Sequence, residues 1–342
     1  MTRAMILLAL MLTLGACEET NPIFDPGDPI DDPDDPDDGI DCVDGGRCLP
    51  PGTDSPTPNR RIVRREATAD GSGNGYARDI SYDAATDTFS VENLGFDGDN
   101  AYSRGAAVGS LGPFAVYESD AVFADDVTGV PIGQFTHRAI YAVSTSGETQ
   151  LAIVRTGSYI PYGFGGYVYQ RNGRVTLPTS GQASYAGNYA ALRDFNGRGG
   201  LEYATGDMEM AIDFNDFDDG NAVNGAVFNR RIFDLSGNDI TADVLADFNE
   251  ENEASLTTIP TLLFAVGPGV MDENGEITGA INSFYANDAG TVQAFEAGNY
   301  YAVVADGDGG NASEVVGVIV VEGSLGDGVT ARETGGFLLY RP

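Results

Sequence analysis

Few residues in this chain could do chemistry. There is one histidine, His137, three cysteines, Cys17, Cys42 and Cys48, and no lysine, so all 18 basic residues are arginine. A nucleophile triad needs a histidine beside its nucleophile, and a histidine-rich metal centre needs several. His137, in FTHRA at the head of an apparent strand, therefore reads as structural. Without lysine there is no Schiff-base or P-loop chemistry. A carboxylate pair for glycoside hydrolysis can always be drawn from 52 acids, so Asp213 with Asp216 or Asp218 proves nothing. Asp272–Glu276 (DENGE) and Asp306–Asn311 (DGDGGN) space oxygen donors as calcium loops do, but neither brings the bidentate glutamate of an EF-hand. Both read as hairpin turns. No catalytic residue, metal or cofactor is expected, and the chain reads as a non-enzyme.

Two other groupings carry a functional reading. The segment Ser158–Arg171 (SYIPYGFGGYVYQR) is the most aromatic of the chain. Tyr159, Tyr162, Phe164 and Tyr167 are candidate partner-binding residues, because tyrosine offers a large rigid contact area and a hydroxyl. The competing reading is a hairpin whose aromatics pack against the neighbouring domain. Cys42 and Cys48 flank a Gly-Gly pair in CVDGGRC, and a disulfide between them is expected in an oxidising compartment.

The balance of 52 acids against 18 arginines gives a net charge of −34 over 342 residues. Nucleic-acid binding depends on clustered basic residues, so this composition excludes it. Attraction to an anionic membrane surface is excluded on the same ground. The charge is not evenly spread. Residues 17–58 hold runs such as FDPGDPIDDPDDPDDG, in which repeated X-Pro and like charges keep the backbone extended. They are expected to form a disordered tether.

Ahead of the tether, Met1-Thr2-Arg3 brings one positive charge, and the 11-residue run Ala4–Leu14 is uncharged and mostly apolar. A spanning helix needs about 20 such residues, so the run reads as the core of a signal peptide, residues 1–16. Leu14-Gly15-Ala16-Cys17 resembles the lipobox of bacterial lipoproteins. That resemblance implies lipidation of Cys17 and membrane attachment by acyl chains. Glu18 in place of aspartate after the cysteine implies delivery to the outer membrane of a Gram-negative bacterium.

From Arg60 onward the pattern is β. Met208, Met210, Ile212 and Phe214 alternate with Asp207, Glu209 and Asp213, as a half-buried strand requires. Glu314–Glu322 (EVVGVIVVE) is apolar on both faces and should be covered on both. Gly/Asn/Asp clusters at 96–100, 172–174, 272–276 and 306–311 supply hairpin turns. Only Thr241–Ala254 departs, with Val244, Leu245 and Phe248 on one helical face behind a threonine cap. The expected fold class is all-β, a sandwich-like domain over 59–180 followed by an eight-stranded antiparallel barrel over 181–342. Nine runs, 184–193, 200–204, 207–215, 222–233, 260–267, 276–285, 299–305, 314–322 and 335–341, compete for the eight barrel positions, and the surplus is expected to be two runs of one bent strand. Acids at the alternate positions argue against a membrane-spanning barrel.

Gly181–Gly187 (GQASYAG), Gly206–Phe214 (GDMEMAIDF) and Val223–Gly225, with GNYYAVVA at 298–305, VVGVIVVEG at 315–323 and ARETGGFLLYR at 331–341, resemble the barrel domain of transferrin-binding protein B-like surface lipoproteins. The resemblance covers roughly 183–341. It implies a β handle domain beside the barrel, a lipidated stalk, and display on the outer membrane. Members bind host iron or haem proteins or other surface partners, so it implies a non-enzymatic protein that binds a secreted or host protein or a small solute through barrel and handle loops. The alternative is a structural envelope lipoprotein with no diffusible ligand.

Overall fold

Alternation with period two buries one face of each strand, and long strands of this kind pair in register around a common core. The computed structural model describes residues 41–43, 47–68, 73–158, 161–214, 223–265 and 270–342. Cys17, with its leader, and Tyr159 lie outside the described residues.

Two short strands come first, β1 (Asp41–Val43) and β2 (Arg47–Leu49), paired so that Cys42 stands directly opposite Cys48. Eleven strands follow: β3 (Ile62–Arg65), β4 (Arg78–Asp83), β5 (Thr88–Glu92), β6 (Ala101–Arg104), β7 (Ser110–Leu111), β8 (Phe114–Glu118), β9 (Val122–Ala124), β10 (Pro131–Gly133), β11 (His137–Val143), β12 (Thr149–Thr156) and β13 (Gly165–Arg171). Nine of them make one antiparallel sheet, ordered β3-β13-β12-β11-β8-β6-β5-β4, with β7 beside β8. The sheet curls, so its end strands fold back over its middle. Phe89 of β5 stacks on Tyr117 of β8 with centroids 5.4 Å apart, and Tyr82 of β4 meets Tyr141 of β11 at 4.9 Å. The sandwich-like character thus comes from one sheet closing on itself.

The barrel is closed: β14 (Gln182–Asn196), β15 (Glu202–Asp213), β16 (Val223–Phe233), β17 (Leu262–Phe264), β18 (Glu276–Ala286), β19 (Val292–Ala305), β20 (Glu314–Gly326) and β21 (Val329–Tyr340). The extra sequence run is resolved by a register shift between Thr205 and Asp207, which bends β15 where the apolar pattern breaks. In β15, Met208, Met210 and Ile212 point inward and Asp207 and Glu209 outward. The turn expected at 172–174 closes no hairpin, since β13 and β14 are not paired; it lies where the chain passes from sheet to barrel.

Helix α1 (Thr241–Asn252) joins β16 to β17. Its Leu245 and Phe248 pack with Ile232, Tyr285 and Phe295 at one end of the barrel. The threonine cap is not formed. Ile240 occupies the cap position without a side-chain bond, and the Thr241 hydroxyl instead accepts the Ile232 N–H at 2.9 Å.

The sheet lies against β14, β19, β20 and β21. Leu151, Ile153, Tyr167 and Tyr169 of the sheet meet Leu192, Tyr301, Val316, Val318 and Leu338 of the barrel. On the other face of β20, Val315, Ile319 and Val321 belong to the barrel core, so this strand is covered on both sides as its sequence requires. Adjacent glycines of β21 serve the two faces. A Cβ on Gly335 would stand 2.2 Å from the Tyr189 ring inside the barrel, and one on Gly336 would stand 2.6 Å from Leu151 Cδ1 in the sheet.

Ion pairs border this apolar contact. At one margin Glu66, Arg155, Asp194 and Arg332 alternate in sign. Arg155 holds Glu66 with two bonds of 2.8 and 2.5 Å and lies 4.0 Å from Asp194, which Arg332 holds with two more. At the other margin Arg64 pairs with Glu276 through bonds of 2.6 and 2.9 Å. A third cluster lies inside the barrel, where Arg230 binds Glu296 and Glu333, and Arg193 binds Glu202. Isolated charges could not be buried this way; paired and hydrogen-bonded ones can.

Candidate interaction surface

The aromatic segment singled out by composition faces inward. Tyr167 lies buried in the sheet–barrel contact, and Phe164 is buried against the edge of Tyr76. Tyr162 is half-buried under the Arg332 guanidinium, 4.5 Å from its ring centroid, and its N–H donates to Phe195 O. Burial, with the nearby Glu322 carboxylate, pushes its hydroxyl up to about 12. Tyr167 packs between sheet and barrel because β13 runs through that contact, whereas Phe164, just ahead of β13, fills the core inside the curled sheet with Ala77, Phe89 and Val154. His137 is buried as expected of a structural histidine, and burial pushes its imidazole down to about 4. DENGE and DGDGGN are both turns. Asp272 accepts the N–H groups of Asn274 and Glu276, and Asp306 accepts those of Thr176 and Ala312. Among the described residues no group of three or more His, Cys, Asp or Glu side chains could hold a metal.

The surface that stands out lies elsewhere. Between β8 and β11 the chain runs out as the β9–β10 hairpin, which pairs only within itself in the described sheet order. Its register sets Val122 opposite Gly133, Phe123 opposite Ile132 and Ala124 opposite Pro131. Asp125 makes the turn. Its carboxylate accepts Val127 N–H at 3.1 Å, Thr128 N–H at 2.6 Å and the Thr128 hydroxyl at 2.7 Å. Those bonds hold the Asp125 carboxyl below its usual range. Gly129 follows with φ +68°, a conformation that favours glycine.

A turn so fully bonded is defined, yet it presents apolar side chains to water. Val127 is 92% exposed, Val130 58% and Val122 55%. Ile132 and, beside the hairpin base, Phe96 are also exposed. Isolated exposed apolar residues are ordinary, whereas contiguous exposed apolar surface is what interaction sites commonly present.

The base is firm. Phe135 N–H donates to Phe96 O at 2.7 Å, and the two rings lie 5.1 Å apart. Gln134 Oε1 accepts the Gly98 N–H at 3.2 Å, and the Phe123 ring lies over Gly98. Beneath them Asp97 is buried, the Tyr102 hydroxyl donating to its side chain at 3.1 Å, and burial pushes its carboxyl up to about 6. His137 Nδ1 stands 3.3 Å from Phe135 O, and its Nε2 has no partner among the described residues. The hairpin thus sits over two buried ionisable groups that have no counter-charge among the described residues. No reading is drawn from ADDVTGVPIG in the sequence, since valine and isoleucine are residue types most often found buried. The available signal was turn chemistry, Asp125 and Gly129 bracketing two valines.

The chain is similar to transferrin-binding protein B. A double mutant of the protein from Haemophilus parasuis Hp5, described as a vaccine antigen, matches at 13% identity and a TM-score of 0.37, over 82% of this chain and 45% of that one. Intact Ap-TbpB, with its N and C lobes, matches at 12% identity and 0.32, over 84% and 61%. A structure described as a surface lipoprotein matches at 13% and 0.28, over 57% and 76%. This chain spans under half the length of the Haemophilus parasuis protein. No protein-family model and no curated protein matches it.

Proposed function

We propose that this chain is a non-enzymatic, lipid-anchored protein of the outer-membrane surface that binds another protein through the β9–β10 hairpin. The observation that carries the binding role is the exposure of Val122, Val127, Val130 and Ile132 on a projecting, well-bonded turn. The anchoring role rests on Leu14–Cys17 and on an acidic tether that holds the body away from an anionic surface. In this reading residues 1–16 are removed, Cys17 carries acyl chains, 59–180 form the handle and 181–342 the barrel. The disordered tether expected over 17–58 is shorter than that range, because 47–58 is docked on the body, with Leu49 buried and Pro51 O accepting the Arg65 N–H at 3.0 Å. Cys42 and Cys48, facing each other across β1 and β2, form a disulfide in that oxidising location.

The test uses the full-length protein in its own cells and a V127S/V130S variant. Both should be acylated and reach the surface equally, and crosslinking from the hairpin should capture one protein with the parent and none with the variant. Equal capture by both would remove the hairpin from the binding role. A Cys17→Ala variant that still carried acyl mass would overturn the anchor.

A further inference from the structure

We infer that the hairpin docks into an apolar pocket rimmed by lysine or arginine on a folded protein partner. This rests on the proposed protein-binding role of the hairpin and adds the chemistry of what it binds. The segments 92–100 and 118–136, which form the hairpin and its base, contain seven acids and no basic residue. Asp99, Asp120 and Asp126 are exposed there, and none of them is paired with an arginine among the described residues. The neighbouring cations are already engaged, Arg138 with Glu118 at 2.7 Å and Arg104 with Asp87 at 2.8 Å. The surface is therefore an apolar tip inside an acidic surround, on a chain whose net charge is −34.

Each part of that surface selects its complement. Val127 and Val130 gain by leaving water only if a partner offers an apolar recess. The unpaired carboxylates would stand at the rim of such a contact. There like charges repel and opposite charges speed encounter and fix register. A second copy of this chain would bring acids against acids, and an anionic membrane would do the same. A partner face with cations around an apolar recess satisfies both parts.

Two synthetic amphipathic peptides test this. They carry leucine on one face and lysine or glutamate on the other, and are titrated against the full chain at low and high salt. The lysine peptide should bind, and V127S/V130S should weaken it at least tenfold. D99N/D120N/D126N should weaken it severalfold at low salt and flatten its salt dependence. Equal, hairpin-dependent binding of the glutamate peptide would overturn the charge selection while leaving a protein-binding hairpin in place. Binding of the lysine peptide that ignored V127S/V130S would overturn the hairpin as the docking site. Self-association in sedimentation that V127S/V130S abolished would overturn the partner in favour of a second copy.

Discussion

Asp194 and Arg332 stand directly opposite each other on β14 and β21, and their side chains pair outside the barrel wall, beneath the sheet. Two bonds, Nε to Oδ1 at 3.0 Å and Nη2 to Oδ2 at 2.5 Å, hold them, and Arg332 also donates to Asn74 Oδ1. Burial pushes the Asp194 carboxyl up, with Arg332 and Arg155 pulling against it. One barrel pair thus reaches loop 73–77 of the sheet domain and the Arg155–Glu66 pair together. Removing one partner leaves a buried charge, which costs about 3–5 kcal/mol. Arg332→Ala should lose that much in urea denaturation, and Asp194→Ala should be comparable. The double variant should lose less than the sum, and strict additivity would show the pair to be uncoupled.

Gly335 is fixed by Tyr189. Gly335→Ala places its Cβ 2.2 Å from a buried ring that is itself held by Glu333. Overpacking of this kind costs about 1–3 kcal/mol. Gly133→Ala on the hairpin meets open space and should stay within about 0.5 kcal/mol of the parent. Equal melting temperatures for the two variants would contradict the packing described.

Beneath the hairpin, pH should act with opposite signs on two neighbours. Asp97 titrates at about 6 when folded, so the folded chain holds this proton more tightly than the unfolded one. Its contribution to stability therefore falls as pH rises from about 4 to 6 and is constant above. His137 titrates at about 4 when folded, so the unfolded chain binds its proton more tightly. Its contribution rises with pH from about 4 to 6.5. Relative to the parent, Asp97→Asn should make stability climb more steeply with pH across that window, and His137→Gln less steeply. Denaturation at closely spaced pH values checks both signs.

Salt should stabilise the body. Residues 59–342 carry 39 acids and 16 arginines, and screening relieves the repulsion among exposed carboxylates. The buried pairs are screened far less, so they should not offset the gain. A melting temperature that fell between low and moderate sodium chloride would contradict this.

The barrel was legible in sequence because its strands are long and most bury a single face. Met208, Met210 and Ile212 name their own orientation, while which two of the nine runs form one strand became clear only from the register shift between Thr205 and Asp207. The curled sheet was less legible. Several of its strands have only two to five residues, too short for a period to show, and β3 pairs with the distant β13. Composition flagged Tyr162, Phe164 and Tyr167 as aromatic but held no information about which neighbour would cover them. Arg64 and Glu276 are 212 residues apart, and no local pattern joins them. The hairpin was missed for the opposite reason, since its valines obey a rule of burial that this turn breaks.

Arg64, Arg155, Arg171, Arg193, Arg230 and Arg332 are all buried. With no lysine in the chain, trypsin has only arginine to cut, and these six lie inside paired, ordered strands. Arg60 and Arg61 are exposed immediately before β3. Trypsin added to intact cells should therefore cut a displayed protein at exposed arginines such as Arg60 and Arg61 before β3 and Arg174 between β13 and β14, and release the sheet and barrel into the medium. Outward display would be seen as large fragments shed into the medium rather than as a ladder of small ones.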